Sequence, residues 1–212
     1  VENRLGFGHM MKMIAAVLWV GLCLGAVAQE GRMVVDQTTA DTAVANSAVA
    51  FPKFHREYEY VKAHDPLIKK INLIRMPGMG RGPAFASPNG VIAIDINYLD
   101  NPKPNFDDNR LVVVLYHELG HLHYYEQAPR SEWTEENSEK AAFEYSLLKT
   151  KEMAEKGDCG PLATGVKFMK LRSESSNLQD AHVRALKRIV NEPMYAGYVE
   201  YVKTHCAATA AQ

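Results

Sequence analysis

His117, Glu118 and His121 are the side chains of this chain whose types and spacing carry the most chemistry. Residues four apart in a helix stand one above the other, so His117 and His121 would present two imidazoles to one metal ion. Glu118 is turned about 100° from His117 and falls beside such an ion rather than on it. A carboxylate placed there can take a proton from water that the metal has acidified. Zinc brings the pKa of a bound water from about 15.7 to about 7, which puts the proton within a carboxylate's reach. Gly120 costs about 1 kcal/mol of helix stability relative to alanine, so its presence predicts the close approach of another backbone. The His-Glu-x-x-His pattern follows an apolar turn, Val112 to Leu115, that would bury it. This context favours a zinc centre over a chance match.

Two histidines leave zinc short of ligands, because catalytic sites use three protein ligands and keep one position open. A third histidine six residues beyond His121 is excluded, since Tyr124 and Gln127 stand where that longer motif needs glycine and histidine. The expected third ligand is Glu139, eighteen positions after His121 on the next helix, beside the apolar, small-residue face of Ala142, Phe143, Ser146 and Leu147. Glu136 and Glu135 are the fallbacks; Glu132 and Glu144 read as solvated. The developing oxyanion needs a donor, for which His182, Tyr195, Tyr198 and Tyr201 are the downstream candidates. The competing reading makes the tyrosines packing residues with one wet end, and His182 a solvated or core-edge histidine. His123 lies off the ligand face and is expected to be structural. His55, His64 and His205 have no usable context.

The elements that must hold these groups can be read in outline. Residues 1–28 are expected to be an N-terminal extension and signal peptide: Lys12 precedes an apolar run to Leu24, and Ala26-Val27-Ala28 has the small-x-small cleavage pattern. The run is shorter than the roughly 20 residues of a membrane span, so no stable span is expected after cleavage. Residues 29–50, rich in Ala, Thr and Ser without period, read as a flexible linker. The folded domain is expected over 51–206. Its first helix starts at Pro52, with Phe54, Tyr58 and Val61 at helical spacing. Strands follow at 71–75, 84–87 and 91–96, the last two joined by the hairpin turn Pro88-Asn89-Gly90. Gly and Pro between 76 and 83 mark a loop, and Asn101-Pro102 ends the last strand. Asp107 to Asn109 offer caps for a helix from Arg110 to Tyr125, and Ser131 or Thr134 for one reaching about Glu155. A turn at 157–161 and helices near 178–190 and 192–203 complete an α+β domain: a small sheet with a hairpin beside the histidine helix, closed by further helices.

His117-Glu-Leu-Gly-His121, followed by Glu139-Lys-Ala-Ala-Phe-Glu-Tyr-Ser-Leu-Leu148, resembles the gluzincin metallopeptidases, and most closely the short ImmA/IrrE-like members. The resemblance covers roughly residues 84–150. It implies that His117, His121 and Glu139 hold Zn2+, that Glu118 is the general base, and that strand 91–96 is the edge that pairs with an extended peptide. In that family Ala-Asn usually follows the ligand glutamate; here Lys140-Ala141 stands there.

The expected activity is zinc-dependent hydrolysis of peptide bonds in an extended peptide or protein substrate, in an exported, periplasmic or secreted protein. Two alternatives differ in class: a non-catalytic zinc-stabilised peptide-binding module, and a metal-dependent amidase acting on a non-protein substrate. Nucleic acid is not an expected partner, because 24 basic and 25 acidic residues give a net charge of −1 and the basic ones are scattered. Export leaves Cys159 and Cys206 as an even pair, expected to form a disulfide.

Overall fold

The computed structural model describes residues 33–76, 82–100 and 103–206. The signal-peptide reading of 1–28, most of the loop after residue 76 and the strand-ending Asn101-Pro102 lie outside the described residues.

From Met33 on, the segment expected to be a flexible linker forms a strand and a helix. Met33–Val34 forms a short strand, β1, and Gln37–Ala50 forms a helix, α1. Asp36 caps this helix, its Oδ1 accepting from Thr39 N–H at 2.9 Å and its Oδ2 from the Thr39 hydroxyl at 2.7 Å. Alanine-rich sequence favours helix, but α1 buries only Ala43 and Ser47, small residues four apart, so no apolar period announces it.

Helix α2, Pro52–His64, buries Phe54, Tyr58 and Val61 as their spacing requires. Its open N-terminus is capped from a distance: the Asp108 carboxylate accepts from Lys53 N–H and Phe54 N–H at 2.9 and 2.8 Å. Strands β2 (Lys70–Arg75), β3 (Ala84–Ser87) and β4 (Val91–Asp95) join β1 in a mixed sheet of order β1-β2-β4-β3. The hairpin forms as expected, with Ser87 opposite Val91 and Gly90 at φ 85°. Edge placement differs from expectation. β4 is an inner strand, parallel to β2 and antiparallel to β3, and the edge beside the histidine helix is β3.

A short helix, α3 (Asn97–Asp100), leads to α4 (Asp108–Gln127), capped by Asp107. The β-branched run Val112 to Val114 is helical, because Leu111, Val112, Leu115, Leu119 and Leu122 form one stripe against the core that Ile92, Ile94 and Ile96 build from the sheet. Helix α5 (Glu135–Glu155) is capped by Thr134 and crosses α4 at Gly120. Helices α6 (Gly160–Ser173), α7 (Ala181–Ile189) and α8 (Pro193–Tyr201) pack a second core around Leu147, Leu162, Met169, Leu186 and Ile189. Helix α6 is absent from the sequence reading, although Leu162, Val166 and Met169 recur at helical spacing behind Pro161 in its first turn. The fold is α+β, as expected.

Two stability predictions arise here. A Cβ at Gly120 would stand 2.7 Å from Ala142 Cα and 2.8 Å from Tyr145 Cβ. Gly120→Ala is therefore expected to destabilise by about 1–3 kcal/mol despite its better helix propensity. A urea midpoint equal to wild type would mean that the two backbones do not meet there. Cys159 and Cys206 are bonded, with Cα atoms 5.5 Å apart, and close a loop of sequence separation 47 that ties the turn before α6 to the final helical turn, Val202–Cys206. Replacing both by serine is expected to lower stability by about 4 kcal/mol on chain-entropy grounds. An unchanged melting temperature would contradict it.

Candidate metal centre

The crossing of α4 and α5 brings the expected ligands together. His117 Nε2 lies 3.2 Å from His121 Nε2 and 3.1 Å from Glu139 Oε2, and His121 Nε2 lies 3.7 Å from Glu139 Oε1. Donor atoms around a tetrahedral ion with bonds of about 2.0–2.1 Å are about 3.3 Å apart. These separations are of the order one ion requires, although the two histidines approach different oxygens of Glu139. His182, from the first turn of α7, adds a fourth corner, its Nε2 3.2 Å from Glu139 Oε2. Ligand atoms of His117, Glu139 and His182 all lie within 4.8 Å of one another, so this group could hold a metal ion.

Atoms left without partners point the same way. Glu139 Oε2, although close to two imidazoles, makes no properly directed hydrogen bond, and Glu118 Oε2 and His117 Nδ1 are likewise buried and unpartnered. Groups so placed cost free energy unless something binds them. His121 differs, for its Nδ1 is 2.8 Å from the Ser138 hydroxyl. A proton donated from Nδ1 to that oxygen leaves Nε2 with its lone pair toward the cluster.

Burial sets the charge states. It lowers the His117 imidazole and pushes His121 down to about 3, so both rings are neutral, the form that ligates. Burial and then the Glu139 charge push Glu118 up to about 8. Glu139 goes the other way: burial would raise it, but His117, His182 and His121 around it hold it below the usual carboxylate range. Two neighbouring acids thus have divergent proton affinities. Glu118 reaches the backbone of Ala86 on the edge strand β3, so this carboxyl faces that edge.

The remaining expectations fare unequally. His182 is brought to the site with its ring half exposed. Tyr195 is not: its hydroxyl donates to Val166 O at 2.7 Å inside the second core. Tyr198 packs in that same core, and Tyr201 stacks on His205. None of these tyrosines serves as a donor here, because α8 faces α6 and the disulfide rather than α4. Glu136, a fallback ligand, is held by Arg184 and Arg188 of α7. Glu135 is exposed. His123 is structural, bonded to Asp65 at 2.9 Å and Tyr145 at 3.1 Å. Clefts of about 340 and 590 Å³ open along other flanks of α4, and His117, His121, Glu139 and His182 line neither.

Three residues of the site lay beyond the sequence reading. Ser138 precedes Glu139 and was indistinguishable from a surface serine. Asp180 fell inside the helix expected near 178–190, with His182 mid-helix; it instead caps α7, and its Oδ1 also accepts from His182 Nδ1 at 3.0 Å, aiming Nε2 at Glu139. Arg110 was one more residue of the helix start. It is 9% exposed, its Nη1 has no partner, and burial lowers it only to about 9, so it stays charged at neutral pH.

No family model, curated protein or solved structure matches this chain.

Proposed function

We propose that this chain is a zinc-dependent peptidase of the gluzincin type, with His117, His121 and Glu139 as ligands and Glu118 as the general base. The observation that carries this reading is the buried Glu118 carboxyl, which reaches Ala86 of the sheet edge while its Oε2 stays unpartnered, close to the group formed by His117, His121 and Glu139. A structural metal site needs closed coordination and no base beside it.

His117, His121 and Glu139 would hold a zinc ion, which would supply the Lewis acidity to polarise the scissile carbonyl and acidify the attacking water. An extended peptide pairs with the exposed side of β3 by strand addition, which sets its carbonyl before Glu118. Glu118 takes the proton of the attacking water and delivers it to the leaving amine. His182, oriented by Asp180 through its Nδ1, donates from Nε2 to the developing oxyanion. The Cys159–Cys206 bond supports an exported, oxidising location. Among the described residues no helix is long and apolar enough to cross a membrane.

A second reading has one observation behind it. His182 Nε2 lies close enough to Glu139 to serve as a fourth ligand, which would close the site and make it a zinc-stabilised binding module. His182→Ala separates the two. The peptidase reading expects about one zinc per chain to remain while kcat falls about 10²–10³-fold. Loss of zinc from this variant would favour the closed site. The direct test of activity is hydrolysis of unstructured casein, restored by zinc after chelation; protein that never cleaves it in any metal state overturns the proposal.

A further inference from the structure

Arg110, Val114, His117 and His121 follow one another at steps of four, three and four, so they share a single face of α4. Val114 is only half-buried although Val113 and Leu115 on either side are buried, so this face reaches solvent between Arg110 and the histidines. The Arg110 guanidinium lies over the Phe168 ring, Cζ 3.1 Å from its centroid, with Phe106 at 5.8 Å on another side. From Phe168 the aromatic wall continues to Phe143 at 6.5 Å, and Phe143 contacts His117 at 4.3 Å and His182 at 6.0 Å. Arg110 therefore stands at one end of a wall whose other end is the metal-directed group.

This arginine has no directly bonded anion among the described residues. Among the described residues its side chain makes no hydrogen bond or ion pair, and its Nη1 is buried and unsatisfied. The nearby Asp107 is committed to capping α4, its Oδ1 accepting from the Arg110 backbone N–H at 2.8 Å. A buried guanidinium that no anion bonds directly, and that the helix-capping Asp107 reaches only at a distance, is unfavourable, and stacking on one ring compensates only in part. Proteins tolerate such a violation chiefly where a ligand completes it.

We infer that Arg110 selects the substrate by binding a carboxylate carried next to the scissile bond, either an acidic side chain or a free C-terminus. The planar fork of arginine matches a carboxylate bidentately, which a lysine would not. Two helical turns separate the Arg110 and His117 Cα atoms, about 10.5 Å. An extended peptide rising about 3.3 Å per residue covers this gap within one or two residues plus a side chain. The inference rests on the peptidase reading and deepens it.

Its test does not depend on turnover. Succinyl hydroxamates chelate zinc, and four are compared by calorimetry on the zinc-loaded chain: those extended by glutamate amide, glutamine amide, alanine and alanine amide. The first pair tests an acidic side chain and the second a free C-terminus. One acid is expected to bind about 10–100-fold more tightly than its neutral counterpart, the strength of a charge-assisted pair. In Arg110→Met that ratio is expected to fall to within about twofold, and in Arg110→Lys to an intermediate value. Acid and neutral compounds binding alike in the unaltered chain would overturn the inference and leave the metal centre standing, whether or not a variant folds. Binding of none of the four would sink the zinc centre and the inference together. A preference that survives in Arg110→Met would assign it to another residue.

Discussion

Glu118→Gln is expected to lower kcat on a peptide substrate by about 10³-fold or more while zinc stays at one ion per chain. The two side chains have nearly the same shape, and the position is 5% exposed, so the packing of α4 survives the exchange. Glu118 Oε2 makes no hydrogen bond, so an amide there breaks none on that side. What disappears is the base. Because the carboxylate sits outside the His117–His121–Glu139 triangle, metal binding and proton transfer should separate cleanly. Equal activity in both proteins would remove the peptidase proposal, and loss of zinc would turn Glu118 into a ligand.

Glu139→Ala should act in the opposite sense, on the metal. Of the three donors in the triangle it is the one that carries charge, since burial keeps His117 and His121 neutral. Neutralising a divalent cation in a buried site depends on that carboxylate. Zinc affinity, read by competition with a chelator of known strength, should fall more than 100-fold, beyond the loss typical of a group that only orients a ligand. The variant should still fold, because Glu139 pairs with no lysine or arginine among the described residues and touches the cluster only through imidazoles. Stoichiometric zinc at unchanged affinity would move the third ligand elsewhere, with His182 the nearest claimant.

What the sequence disclosed follows from the range of the interactions involved. Local signals were reliable: the cap Asp107, the Asn-Gly turn, the spacing of Phe54, Tyr58 and Val61, and the two imidazoles a turn apart. Gly120 announced a backbone approach and received one from Ala142. Helix α1 stayed hidden because its buried stripe consists of Ala43 and Ser47, which carry no hydrophobic signal. The edge role of strand 91–96 came from the family resemblance alone, since alternating isoleucines mark a buried strand without saying which neighbours cover its edges. Asp180, Ser138 and Arg110 escaped for a related reason. Ser138 and Arg110 meet their partners on other helices, Asp180 matters only because α7 brings His182 to Glu139, and all three residue types are at home on any surface.

The most direct test is the structure of the zinc-loaded protein with anomalous scattering recorded at the zinc absorption edge. A single ion is expected, bonded to Nε2 of His117 and of His121 at about 2.0–2.1 Å and to a Glu139 oxygen at about 2.0–2.2 Å, with Glu118 beside it and unbonded. An ion found elsewhere, or one that takes Glu118 in place of Glu139, would contradict the account.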